Sequence, residues 1–377
     1  QWNSMEFDPQ TYPDPERHIR ELHERNVHLM ISIWPVFGPK TKIHQEMDSR
    51  GFLYPVVYAG LGGRTYDPFN PEARRLYWDY VKRGLFDKGV DAWWMYATEP
   101  EVTSGITQAE IEKNILDCKQ TALGPMAKYL HAFSLMSTKG CYEGQREVTS
   151  DQRVFILTRS SFAGQQKYAA VTWSGDISAT WDVFRAQVPA GLNFCMAGIP
   201  YWTTDIGAFF INRERGAVFP DGVQDPAFCE FYTRWFQYGA WSPIFRSHGT
   251  GTPREVWRFG EPGSPLYESQ AKFLRLRYRL MPYIYSLAWK VTNDGYTMMR
   301  GLPMDFAGDR NVHALGGQYM FGPAFLVRPI TQAMYFQPTS TTSATATTAP
   351  ASAPTTAKVE PTLTPVVKTL PKDVDTA

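Results

Sequence analysis

Along roughly the first three hundred residues, short continuous apolar runs alternate with longer segments whose apolar positions recur every three or four residues. The runs are VHLMISIW (27–34), VDAWWM (90–95), RVFILT (153–158), YAAVTW (168–173), GIPYWT (198–203), SPIF (242–245) and YTMM (296–299). Runs of this length bounded by turn residues predict strands buried on both faces, and the longer segments predict helices. Asp14-Pro15 reads as a cap and first residue opening ERHIRELHER, and NPEARRLYWDYVKRGLFDKG has a similar start. Further helices are expected around WDVFRAQVPAGLNF and DPAFCEFYTRWFQYG, with one long helix near 265–292.

Strand–helix alternation of this kind predicts a parallel sheet covered by helices. With no Gly-x-Gly-x-x-Gly turn, the α/β class narrows to a (β/α)8 TIM-type barrel, here incomplete at its N-terminal side. The last run, 296–299, is allowed to lie outside the barrel. QYMFGPAFLVRPI (318–330) reads as antiparallel strands opening a β domain. PTSTTSATATTAPASAPTTA (338–357) is almost wholly Pro, Ser, Thr and Ala, a composition that buries no core, and is expected to be a linker. The expected domains are 1–300 (partial barrel), 301–337 (start of a β domain), the linker 338–357, and 358–377 as a truncated strand or tail.

Composition changes this picture in few places. Lys and Arg number 38 against 37 Asp and Glu, so neither nucleic acid nor an anionic membrane surface is an expected partner. No apolar run reaches the ~18–20 residues that span a bilayer. Four scattered cysteines without a C-x-x-C pair argue against structural zinc and leave one disulfide open. His18, His23 and His44 are expected in solvent, and no cofactor is implied. The N-terminus does not resemble a natural start, which leaves export to the periplasm or exterior open; oligomeric state is not legible. Aromatic residues make up 15% of the chain, with 12 Trp and 20 Tyr, which fits either a large core or stacking platforms for sugar rings.

Functional side chains of a barrel come from the carboxyl ends of its strands. Standing there are Trp94, Tyr96 and Glu99, then Arg159, then Trp173 with Ser174-Gly175-Asp176, then Trp202 with Thr204-Asp205, and finally Arg246-Ser247-His248. Asp176, followed by Ile177-Ser178-Ala179, also fits the cap of the next helix. Taken together the set forms a polar, aromatic-walled rim suited to a polyol.

WWMYATEPE, TRSSFAGQQKYAAVTWSGDI, YWTTDIGAFF and IFRSHG resemble glycoside hydrolase family 31, and HLMISIWPVFGP resembles the α-xylosidases within it that trim xyloglucan fragments. The resemblance implies a retaining glycosidase for terminal α-xylosyl or α-glucosyl residues of oligosaccharides. It carries the acid/base role to Asp176 and sugar binding to Arg159, Asp205 and His248, with Trp94 and Trp202 lining the site. Glu99 and Trp173 are further expected contacts. The nucleophile position falls on Tyr96, where the family pattern has aspartate. A phenol has a reference pKa near ~10 and is largely neutral where a carboxylate is ionised, so impaired hydrolysis is expected. A non-catalytic sugar-binding protein or an inactive fragment is the alternative. The family's leading strands and N-terminal β domain have no counterpart in these residues.

Overall fold

The computed structural model describes residues 2–58, 62–99 and 107–336. The expected linker and tail, together with Glu101 of the ATEPE motif, lie outside the described residues. The described chain falls into two compact units, residues 1–173 with 194–202 and residues 174–193 with 203 onward.

The first unit runs α1 (Pro15–His23), β1 (Met30–Ile33), β2 (Val36–Phe37), α2 (Lys42–Ser49), β3 (Leu53–Tyr58), β4 (Gly63–Tyr66), α3 (Pro71–Gly84) and β5 (Ala92–Met95). It continues through α4 (Gln108–Cys118), the small hairpin β6 (Gln120–Thr121) and β7 (Gly124–Pro125), α5 (Met126–Tyr129), α6 (Phe133–Val148), β8 (Ile156–Thr158) and β9 (Ala170–Trp173). Strand β10 (Trp202–Thr203) completes a sheet ordered β1-β5-β8-β9-β10, in which β1, β5, β8 and β9 pair in parallel. Five of the seven expected strands thus form the parallel sheet. β2, β4 and β3 form a separate antiparallel sheet that the apolar pattern did not announce.

Local chemistry sets the helix starts. Asp14 accepts from the Arg17 amide at 2.9 Å with Pro15 next in line, and Asn70 accepts from Glu72 at 2.8 Å with Pro71 following. Thr107 and Glu110 close a reciprocal capping box at α4. Between helices and sheet lies a core of Phe37, Met47, Tyr66, Tyr77, Val81 and Trp93, with Tyr66 stacked on Tyr77 at 4.9 Å. The buried Trp93 indole donates to Gln145 at 2.9 Å, so its one polar atom is satisfied.

Helix α6 carries glycines at 140 and 144, poor helix formers whose reason is α3. A Cβ on Gly144 would run into the Trp78 indole, and one on Gly140 would press on the Arg74 side chain. Gly144→Ala is therefore expected to destabilise the chain by about 1–3 kcal/mol despite alanine's better helix propensity. Urea unfolding checks this, and an unchanged or raised midpoint contradicts the packing argument.

In the second unit, α7 (Trp181–Met196, which ends in the first), α8 (Pro226–Gly239), α9 (Pro265–Arg279) and α10 (Met281–Asp294) precede β11 (Met299–Gly301), the short α11 (Leu302–Asp305), β12 (Tyr319–Phe321) and β13 (Phe325–Val327). The last three strands form an antiparallel sheet, so 296–299 does lie outside the parallel one and 318–330 folds as antiparallel strands. Asp225 caps α8, a helix buried almost all round; Phe184 stacks on its Trp235 at 4.5 Å.

Three expectations are corrected. SPIF is not a strand: the carbonyls of Ala240, Ser242 and Pro243 accept from the Arg277 guanidinium at 2.7–3.0 Å, so α9 takes acceptors a ladder would need. The long helix is two, broken at Leu280 because Pro282 in the first turn of α10 has no amide to continue the bonding. His44 is buried rather than solvated, and burial, then the Arg64 charge, hold its pKa below the usual value. The disulfide left open does not form: Cys118, Cys141, Cys195 and Cys229 are all buried and free. Among the described residues, no helix is long and apolar enough to cross a membrane.

Candidate active site

The parallel register aligns Ile33 with Met95, Met95 with Thr158, and Thr158 with Thr172. One residue further along each strand stand Trp34, Tyr96, Arg159 and Trp173. Pairing alone therefore gathers four large side chains from positions 34 to 173 at the carboxyl edge of the sheet. The Tyr96 ring stacks on Trp34 with centroids 4.7 Å apart, and lies 5.7 Å from Trp94 and 5.6 Å from Trp173.

Arg159 is the charged centre of this group. Its Nη1 donates to the Tyr96 hydroxyl at 2.8 Å, while Nε and Nη2 grip the Glu99 carboxylate at 2.6 and 3.3 Å. The guanidinium carbon also sits 4.4 Å from the Tyr96 ring centre. The backbone at both ends is pinned. The chain turns sharply after β5, where the Tyr96 amide reaches the Trp94 carbonyl and the buried Ala97 takes φ +60°. Beyond β8, the Ser160 carbonyl accepts from Thr158, Ser134 and Gln165 side chains, and Thr98 bonds the Ser160 hydroxyl at 3.0 Å. Arg159, Glu99 and Tyr96 are thereby held as one set. Trp202 is buried against Phe194 at 4.7 Å.

Asp176, Asp205 and His248 belong to the second unit. Asp205 is fully buried, and its Oδ1 accepts from Arg246; Oδ2 has no hydrogen-bond partner among the described residues. Burial pushes its carboxyl up to about 6, the nearby Asp176 charge adds to that, and Arg246 offsets only part. The loop is fixed by Arg254, which donates to the Ile206 and Phe209 carbonyls at 3.0 and 3.4 Å. Tyr232 in turn bonds the Arg254 carbonyl and the Ser247 hydroxyl. Gly207 sits at φ +80° between the Tyr232 ring and the Arg254 guanidinium, with no room for a Cβ.

His248 stacks on Phe209 at 5.5 Å; burial, then the Arg246 and Arg254 charges, lower it to about 4, so the ring is neutral at pH 7. Asp176 is not a helix cap, because the Thr180 hydroxyl takes the Val183 amide at 3.1 Å and fills that role. Asp176 is half-buried, three residues beyond the end of β9.

The two shifted groups oppose each other in stability. His248, lowered from 6.5 to about 4, binds a proton more readily in the unfolded chain, so its contribution is lost as pH falls through that window. Asp205, raised from 3.8 to about 6, binds its proton more readily when folded, so its contribution grows as pH falls. In His248→Gln only the second effect remains. Its thermal midpoint, relative to the parent's, is expected to rise between pH 7 and pH 5; a constant difference would exclude a depressed histidine.

The sequence pattern named Trp94, Tyr96, Glu99, Arg159, Trp173, Asp176, Trp202, Asp205 and His248; it missed Trp34, which reads as the end of an apolar run, and Arg254 and Tyr232, which have no strand end to mark them. Arg246 and Asp205 were both visible in the sequence, but their pairing across 41 residues was not.

Comparison with known proteins agrees with this geometry. Residues 1–287 match the TIM-barrel domain of glycosyl hydrolases family 31, and residues 295–348 match the C-terminal domain of that family. An alpha-xylosidase of Saccharolobus solfataricus is 44% identical over 330 residues, covering 88% of this chain and 42% of the relative. Among solved structures, an alpha-xylosidase of Xanthomonas citri superposes with a TM-score of 0.81 at 41% identity over 89% of this chain and 37% of the other. An alpha-xylosidase from a soil metagenome, complexed with xylose, gives 0.78 at 32% identity over 88% of this chain and 50% of the other. The chain spans half or less of the length of these relatives. With two domain models matched in order and a parallel sheet carrying the motifs at its strand ends, the chain belongs to glycosyl hydrolase family 31.

Proposed function

We propose that this chain carries the sugar site of a retaining α-glycosidase acting on terminal α-xylosyl, or α-glucosyl, residues of oligosaccharides, silenced at its nucleophile position. The observation that carries the reading is the bond from Arg159 to the Tyr96 hydroxyl within the row of strand-end residues. The family reaction needs a carboxylate that attacks the anomeric carbon and a second carboxyl that protonates the leaving oxygen, then activates water. Asp176 is assigned the second role. Tyr96 stands at the first, and its hydroxyl is engaged by a cation that would equally hold a carboxylate.

Asp205, His248 and Arg159 are assigned to the sugar hydroxyls. The bare Oδ2 of Asp205 and the neutral imidazole of His248 suit that task, since a hydroxyl can donate to either. Trp94, half-buried, is assigned an apolar face toward the ring, whereas Trp173 and Trp202 are fully buried and can only back the site, with Glu99 holding Arg159. The similarity to alpha-xylosidases supports xylose over glucose. Incubation of the chain and its Tyr96→Asp variant with 4-nitrophenyl α-xyloside tests the reading. Release of nitrophenol by the variant alone is expected, and a folded but silent variant removes the assignment. The same chain as a sugar-binding protein is the second reading, favoured by the intact Asp205–Arg246 and Arg159–Glu99 pairs; calorimetry with xyloglucan oligosaccharides tests it, through saturable heat without cleavage.

A further inference from the structure

At the amino-terminal end of the same strands, away from Tyr96 along β5, a second group of side chains converges. Helix α1 ends at His23, and the chain then reverses through Asn26, which takes φ +56°. The Val27 amide reaches back to Leu22 and the Asn26 amide to His23, the bonding of a Schellman turn. This reversal returns His28 beside His23, with ring centres 5.5 Å apart. Parallel pairing of β1 with β5 sets Asp91, just before β5, alongside Leu29. The Asp91 carboxylate accepts from His23 Nε2 at 2.8 Å, from His28 Nδ1 at 3.0 Å and from the Leu29 amide at 2.7 Å.

We propose that His23, His28 and Asp91 form a binding site for a divalent transition-metal ion of the zinc class, separate from the sugar site. The three donor atoms lie within 4.8 Å of one another. An ion at roughly 2.0–2.2 Å from each needs the donors only a few tenths of an ångström further apart than the hydrogen-bonded pairs now are. The His28 ring, 75% exposed, can swing by that amount. Two imidazoles and one carboxylate are the donor set that zinc, copper and nickel take in preference to magnesium or calcium. A backbone amide already orients the carboxylate, as second-sphere donors do around metal ligands. On binding, the ring N–H groups facing Asp91 give way to the ion, their protons leaving to solvent or moving to the other ring nitrogen. The fourth position is open to water. Such an ion clips the end of α1 to the starts of β1 and β5, which points to a structural role.

The alternative is that the two histidines serve only as hydrogen-bond donors to Asp91, and titration separates the two. Cobalt(II) is titrated into the metal-free full chain while the visible ligand-field band is followed, and zinc(II) is then added to compete it away. The expected result is one saturable equivalent and a raised thermal midpoint with zinc. Affinity should fall at least ~10-fold in His28→Ala, and likewise in Asp91→Asn, which keeps an acceptor for the Leu29 amide. His18→Ala, on the same helix but outside the group, should bind as the parent does. No saturable uptake, or equal affinity in parent and His28→Ala, overturns the proposal; the exposure of His28 keeps folding out of the comparison.

Discussion

Tyr96→Asp is expected to raise hydrolysis of an aryl α-xyloside by about 10³-fold or more, the scale on which removing a covalent nucleophile usually acts. The argument rests on what surrounds position 96. Arg159 donates to the Tyr96 hydroxyl and grips the Glu99 carboxylate with its other nitrogens. An aspartate there receives the same N–H and remains ionised, with its nucleophilic oxygen free of the ring's bulk. The stacking of Tyr96 on Trp34 is lost, and that apolar face is freed for a sugar. Measured as kcat/KM, which reports steps up to leaving-group departure, adding Asp176→Asn to the variant should abolish most of the gain for leaving groups that need protonation, and much less for nitrophenol. Equal loss for both leaving groups would remove Asp176 from the acid role.

Arg246→Met is expected to cost about 3–5 kcal/mol of stability at pH 8, because it leaves the fully buried Asp205 without the cation that accompanies it. Sign matters here. Without Arg246 the carboxyl of Asp205 rises further above its ordinary range and takes up a proton on folding, so the cost shrinks as pH falls and grows above neutrality. Replacing both partners, Arg246→Met with Asp205→Leu, should recover much of the loss, as paired replacements of buried ions do. Chemical denaturation at pH 5 and pH 8 reads all of this. A single variant within about 0.5 kcal/mol of the parent at pH 8 would mean that Arg254 or solvent already compensates Asp205.

What the sequence disclosed follows the range of the forces involved. The Asp14-Pro15 and Asn70-Pro71 starts were legible because a cap and its amide are two or three residues apart. The strands at 92–95, 156–158 and 170–173 were legible because burial on both faces leaves an uninterrupted apolar run. SPIF has the same look, and only Arg277, more than thirty residues later, decides against it. Helix α6 was hidden by glycines whose purpose lies on α3. Most candidate site residues were found because they sit at strand ends. The ties between them, Arg159 to Glu99 and Arg246 to Asp205, depend on register and loop closure that no local window contains.

The four cysteines have a practical consequence. Burial raises the thiols of Cys118 and Cys229 to about 11 and 12 and that of Cys141 further, so the folded chain presents little thiolate to an alkylating reagent. Reaction then requires that the surrounding structure first come apart, and its rate becomes a clock for that opening. Cys118 and Cys141 keep time for the first unit and Cys229 for the second. Mass-resolved labelling of the unmodified chain can therefore tell whether the halves that carry Tyr96 and Asp205 loosen together or one before the other.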